Sequence, residues 1–261
     1  MGDSGTWKTS SLKSLASLGI TVFAVATEQN FMQILKEQLG KTIHYVYIPA
    51  QPPAAPSQIL SVLKQINQLS YENLTKTVDP FKTANNRLVD VGQVLNDFRC
   101  DCCKKSWGSP TAWRTDRALV FDGMSGLSDM AFALVVGNKP VRGMPDYQVA
   151  QNALRMILNI AVNMQSMFVL ISHLDKEQDL VSGAYYATVR TVGQKLGPDL
   201  PRLFSDCIRA KRTGENVVWT TADAQATVVG RHVPSSDKLD PNFNLLVSNW
   251  LKQGGKIEPT T

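Results

Sequence analysis

Residues 20–26, Ile-Thr-Val-Phe-Ala-Val-Ala, form an almost unbroken apolar run of strand-favouring residues. A strand with one face in water alternates apolar and polar side chains; a run without alternation needs cover on both faces. The expected setting is a parallel sheet sandwiched between helices. The flanking segments agree. Residues 10–18 place Leu12, Leu15, Ala16 and Leu18 at helical spacing and stop at Gly19. Residues 31–39 read as a helix ended by Gly40, and residues 43–48 as a second strand. Helices and strands alternating through short links are the pattern of an α/β fold.

Further along, residues 49–56 form a proline-rich loop, residues 57–69 a helix, and residues 73–97 a helix interrupted at Pro80. Residues 99–116, with Gly108 and Pro110, read as an irregular insertion. Residues 117–121 are a buried strand ending at Asp122, residues 146–164 the longest periodic helix, and residues 167–171 the strand after it. Residues 207–211 and 217–221 read as strands flanking the turn Thr213-Gly214. The polar tail 234–261 carries an apolar patch at 243–251 suited to a docking helix. The expected division is a core over 1–233, with a helical and irregular insertion at about 50–116, and a C-terminal extension over 234–261.

A chain of 261 residues, 43% hydrophobic and 19% charged, can bury a core as a soluble protein. Its apolar runs are too short to span a bilayer, and polar residues 2–11 do not resemble a secretory leader. The expectation is a cytoplasmic protein with no membrane partner. Three of its four cysteines crowd at Cys100, Cys102 and Cys103, while Cys207, His44, His173 and His232 are scattered along the chain. The thiols therefore read as structural or incidental rather than as zinc ligands. The net charge of +5 is dispersed, compatible with a nucleic-acid partner without establishing one.

The chemistry-bearing segment is Gly2-Asp3-Ser4-Gly5-Thr6-Trp7-Lys8-Thr9, which has Walker A spacing. Such a loop turns backbone N–H groups toward a phosphate, sets a lysine on the β/γ-phosphates and a hydroxyl on Mg²⁺, and leads into a helix, here from Ser10. Trp7 departs from the pattern. It stands where the second glycine belongs, at a φ that a bulky residue tolerates poorly. The strand that normally leads into the loop is also missing ahead of Gly2, unless another segment fills its place in the sheet. A second anchor is Ala118-Leu119-Val120-Phe121-Asp122, apolar residues ending in an acid that can hold the magnesium water shell. The alternative for Asp122 is a strand-ending acid that caps the next helix.

Residues 119–128, Leu-Val-Phe-Asp-Gly-Met-Ser-Gly-Leu-Ser, resemble the Walker B strand and turn of RecA-type recombinases. Combined with residues 136–142, 168–173, 191–196 and 219–223, the chain is similar to phage-encoded AAA/RecA-like P-loop ATPases, including Sak-type single-strand annealing proteins. The resemblance implies a RecA-like core with a mostly parallel sheet, ATP and Mg²⁺ as cofactors, and single-stranded DNA as partner. It also implies a homo-oligomer, ring or filament, in the host bacterial cytoplasm.

Residue roles follow from the same resemblance. Residues Gly2 to Ser10 would hold the nucleotide, and Thr9 and Asp122 the metal. Glu28 occupies the place of the glutamate that orients the attacking water; alternatively it is a helix-start acid favoured by the helix dipole. His173 stands where recombinases keep a γ-phosphate sensor, and Lys195 where a basic residue reaches a neighbouring subunit's nucleotide. DNA contact is expected from Lys139 and Arg142 in residues 137–147, and from Lys176, Tyr185, Tyr186 and Arg190 in residues 175–190. Cations would neutralise phosphates there and aromatic rings would stack on bases. Two further readings stay open, a nucleotide-degenerate RecA-like binding or structural protein, and another phage ATPase role such as packaging or helicase loading.

Overall fold

The computed structural model describes residues 1–50, 87–136, 142–178, 183 and 185–260. The segments read above as a proline-rich loop (from residue 51), as the helix 57–69 and as the first part of the helix 73–97 lie outside the described residues.

The apolar runs become a parallel sheet. Its strands are β1 (Thr21–Ala26), β2 (Ile43–Tyr47), β3 (Arg117–Asp122) and β4 (Met167–Ile171), in the order β2-β1-β3-β4. Successive side chains on a strand point to opposite faces. Phe23, Val25, Leu119 and Phe121 accordingly enter one core, against α3 (Arg87–Asn96), α4 (Met124–Val136) and α5 (Met144–Val162). Val22, Ala24, Ala26, Ala118 and Val120 enter the other, against α1 (Leu12–Ser17), α2 (Asn30–Ile34) and α7 (Asn244–Lys252). Each fully buried Leu, Val or Phe contributes about 1.5–3 kcal/mol relative to an exposed one, so the absence of alternation in β1 and β3 is what two apolar layers require. Asp122 shares parity with Ala118 and Val120. It therefore belongs to the α1 face, which decides what it can meet.

Helix α2 is shorter than the apolar pattern suggests. It ends at Ile34, and the chain then turns around the Gln38 carbonyl, which accepts the N–H groups of Lys41, Thr42 and Ile43. The insertion over 99–116 contains a hairpin and a short 3₁₀ turn at Pro110–Ala112. Beyond β4 the chain forms antiparallel pairs: β5 (Leu174–Gln178) with β6 (Tyr185–Val189), β8 (Arg209–Thr213) with β9 (Asn216–Thr220), and β7 (Asp206–Cys207) with β10 (Val229–Gly230). The short helix α6 (Leu196–Asp199) separates β6 from β7. The tail docks: Val247 is buried, Phe243 packs edge-on against Trp219 at 5.1 Å, and the Phe243 N–H donates to Ser14 Oγ at 2.9 Å. Among the described residues no helix is long and apolar enough to cross a membrane.

Two residues stand where a strand leading into the Gly2–Thr9 loop is expected. Gly2 N–H donates to Ser172 O at 3.1 Å, just past β4, and Met1 O accepts from Ala210 N–H of β8 at 2.7 Å. Gly2 and Ala210 form a parallel bridge so close that a Cβ at Gly2 would collide with the Ala210 carbonyl. Behind Met1, a cavity of about 520 Å³ opens along β4, lined by Phe168, Leu170, Leu203, Phe204 and Trp250 among others. Most of β4 is consequently only half-buried, whereas β1 and β3 are buried along nearly their whole length.

Candidate active site

In the parallel sheet Ala26 pairs with Asp122, and Asp122 with Ile171, so β1, β3 and β4 end level. The residues that follow, Thr27 and Glu28, Gly123, and Ser172 and His173, share one rim, where open α/β sheets place their ligand crevices. Between β1 and β3 the crevice is packed shut by Thr27. Its hydroxyl lies 3.2 Å from the carbonyls of both Asp122 and Gly123, and a Cβ at Gly123 or Gly126 would run into it.

The loop Gly2–Thr9 lies over this rim. Gly5 and Trp7 both adopt left-handed backbone, at φ 72° and 54°. The tryptophan therefore does take the conformation expected of the missing glycine, with its side chain half exposed. Left-handed backbone costs an L-residue about 1–2 kcal/mol, so the loop holds local strain. Lys8 curls back into the loop. Its Nζ donates to the carbonyls of Gly2 at 2.8 Å and Asp3 at 2.6 Å, and lies 3.3 Å from Thr6 Oγ1. Thr6, buried, donates to Asp3 O at 2.7 Å. Ser4 is exposed, and Ser10 is half-buried before α1.

Thr9 Oγ1 donates to Asp122 Oδ2 at 3.0 Å, across 113 residues of sequence. Burial raises the Asp122 carboxyl to about 6; the Thr9 hydrogen bond and the Lys8 charge pull it down, while Glu28 adds to the rise. Burial likewise lowers the Lys8 ammonium from its ordinary value, opposed by Asp122, Asp3 and Glu28. Glu28 Oε1 stands 3.4 Å from His173 Nε2, linking the ends of β1 and β4.

Lys8, Thr9, Asp122, Glu28 and His173 thus converge. Lys195 does not join them by any direct bond in the structure; it is exposed immediately before α6. Residues 175–190 form the β5–β6 hairpin. Tyr185 pairs with Gln178 and Tyr186 with Glu177. Adjacent strand residues point to opposite faces, so the two rings do not make a single stacking platform. Tyr186 OH donates to Glu177 Oε2 at 2.8 Å, Arg190 lies 3.9 Å from Asp175, and Lys176 is exposed. Arg142 stacks over Phe132 at 4.9 Å, whereas Lys139 lies outside the described residues.

Sequence spacing missed two groups. Arg212 of β8 donates from Nη2 to Gly5 O at 3.1 Å, placing a cation beside the loop from 207 residues away. Arg212 shares the strand face of Ala210, opposite Arg209 and Lys211, which are taken up by Asp223; no sequence signal singles it out. His44 is the other: it lies against Cys100 and Cys103, so the cysteines and this histidine are gathered rather than scattered.

No protein-family model matches this chain, and no curated protein matches its sequence.

Proposed function

We propose that the chain is a P-loop ATPase with a RecA-like core, binding and hydrolysing ATP with Mg²⁺ and acting on single-stranded DNA as an oligomer. The observation that carries the reading is the Thr9–Asp122 hydrogen bond at 3.0 Å beside a lysine folded into its own glycine loop. A hydroxyl and a carboxylate held together would supply hard oxygen donors of the kind Mg²⁺ takes. Lys8 spends its donors on backbone carbonyls, which phosphate oxygens would replace with stronger, charge-assisted bonds. These residues fit the cofactor.

ATP supplies the phosphoanhydride that is cleaved, and Mg²⁺ neutralises its charge. The chain's own residues position and stabilise the reacting groups. Lys8 and the N–H groups of the loop would hold phosphate oxygens, Arg212 would add a cation on the Gly5 side, and Thr9 and Asp122 would hold the metal. Glu28 orients water and takes its proton, with His173 at 3.4 Å steadying the carboxylate. The β5–β6 hairpin begins at the residue after His173, and the Arg190 N–H donates to His173 O at 3.0 Å. A contact of DNA with Lys176 or Tyr185 on the hairpin would therefore reach the rim through a short, hydrogen-bonded path.

The test is ATP turnover with and without single-stranded DNA, in the parent chain and in Lys8→Ala and Glu28→Gln. DNA-stimulated turnover lost in both variants is expected; equal turnover in all three removes the proposal. Trp7 at φ 54° favours a second reading, a RecA-like binding protein that has lost nucleotide. Saturable ATP binding in equilibrium dialysis excludes it. DNA packaging or helicase loading would use the same rim and differ only in partner.

A further inference from the structure

The second cluster of reactive side chains lies on the opposite edge of the sheet, at β2, and is independent of the nucleotide reading. Residues 98–108 fold as a hairpin: Phe98 N–H donates to Gly108 O and Trp107 N–H to Phe98 O, both at 2.9 Å. Its tip is tight. Lys104 N–H donates to Cys100 O at 2.9 Å, Cys100 N–H to Lys105 O at 3.0 Å, and Lys104 adopts φ 58°. Asp101 fastens this tip to the sheet edge, its N–H donating to Tyr45 O at 2.8 Å and its carboxylate accepting from Tyr47 N–H at 2.7 Å. That anchoring seats the three thiols beside His44, which β2 holds opposite Phe23.

One ligand atom from each of His44, Cys100, Cys102 and Cys103 lies within 4.8 Å of all the others. His44 Nδ1 is 3.5 Å from Cys100 Sγ and 3.7 Å from Cys103 Sγ. Ligands on a tetrahedral zinc, with Zn–S about 2.3 Å and Zn–N about 2.0–2.1 Å, stand roughly 3.5–3.6 Å apart in a nitrogen–sulfur pair. The observed separations match that edge. Cys100 and Cys103 also have the two-residue spacing common among zinc cysteines. Cys100 Sγ and Cys102 Sγ are 2.8 Å apart, beyond the ~2.05 Å of a disulfide but short of the roughly 3.8 Å between two thiolates on one zinc, so metal binding has to spread this pair. On its other side the imidazole packs against aromatic rings. Nε2 is buried without a hydrogen-bond partner, and the ring packs on Phe23 at 5.2 Å and Trp107 at 4.5 Å. The polar contacts of this ring are thus all on the Nδ1 side, toward sulfur.

We infer that His44 Nδ1 and the Sγ atoms of Cys100, Cys102 and Cys103 form a structural zinc site. Three thiolates and an imidazole are a soft donor set that selects zinc over Mg²⁺ or Ca²⁺. Four protein ligands close the coordination sphere and leave no position for substrate, so the site is structural. It pins the hairpin to β2 above the aromatic cluster of Phe23, Phe98, Trp107 and Trp113. The bound set carries one net negative charge, which Lys105 and Arg117, both near enough to act on His44, offset.

Elemental analysis and native mass spectrometry of the full chain, purified without chelator, test the site. One zinc per chain is expected, with cobalt substitution giving the visible d–d and thiolate charge-transfer bands of a tetrahedral site. Cys103→Ser and His44→Asn should each lower bound zinc at least about tenfold, while Cys207→Ser leaves it unchanged. Cys103 is exposed, so its serine variant is the one expected to keep the fold. Wild-type protein that holds no zinc and takes up none on titration with the metal alone overturns the inference. So does a mass short by the two hydrogens of a disulfide, or full zinc content in Cys103→Ser.

Discussion

Asp122 binds its hydroxyl partner at a cost in stability, and Asp122→Asn measures that cost. The side chain is 7% exposed and its carboxyl is raised to about 6, against about 3.9 for an unfolded aspartate. A raised acid pKa means that the folded state holds the proton more tightly than the unfolded one. The associated stability is fully present below pH ~4 and is lost as pH rises through ~6. A difference of roughly two pK units corresponds to about 3 kcal/mol at neutral pH. Asparagine keeps an oxygen to accept from Thr9 but removes the charge that helps hold Lys8, so the net gain at pH 7.5 is expected at about 1–3 kcal/mol. Urea denaturation of both proteins, without nucleotide, at pH 4.5 and 7.5 is the assay. The stability gap should widen by about 2 kcal/mol between the two pH values. With saturating Mg²⁺ and ATP the gap should shrink by about 2.7 kcal/mol, because ligand at about a hundredfold its Kd stabilises the parent alone by that amount. A gap that does not change with pH, or an asparagine variant less stable than the parent at pH 7.5, would refute the reasoning.

Trp7→Gly relieves a left-handed tryptophan worth about 1–2 kcal/mol but gives back ~0.5–1 kcal/mol of chain entropy. A stabilisation of up to about 1 kcal/mol is expected, with Trp7→Val destabilised; the opposite ranking in urea midpoints contradicts the strain argument. Asp223 is nearly inaccessible and holds both Arg209, at 2.8 Å, and Lys211. Asp223→Ala leaves those cations unpaired and should cost about 3 kcal/mol or more by thermal or urea unfolding; a loss below 1 kcal/mol would show the network to be solvated. Arg212→Ala removes a cation from the loop without touching the core, so ATP affinity should fall several-fold in calorimetry while Tm stays within about 2 °C. Unchanged affinity would leave Arg212 as a clasp on Gly5 only.

Local pattern was enough to read the elements whose environment is uniform. β1 and β3 are legible because two apolar layers demand unbroken apolar runs, and α5 because Ala150, Leu154, Leu158 and Ala161 recur on one face. The Thr213-Gly214 turn and the docking helix at α7 are likewise written in their own residues, since Gly214 takes the left-handed φ of 63° and Val247 buries. The spacing of Gly2, Gly5, Lys8 and Thr9 is a local fact too, and it was visible without coordinates.

Contacts between distant segments depend on sheet order, register and parity, none of which a linear pattern encodes. Thr9 finds Asp122 because β3 turns residue 122 toward the α1 face. Met1 and Gly2 meet Ser172 and Ala210, far along the chain, because β4 and β8 flank them. Tyr185 and Tyr186, neighbours in sequence, part to opposite faces for the same alternating geometry that built the core. His44 and Cys100, 56 residues apart, meet because a single aspartate pins a hairpin tip to a strand edge. Hydrophobic periodicity fixes which way a residue faces; only the assembled sheet decides what it faces.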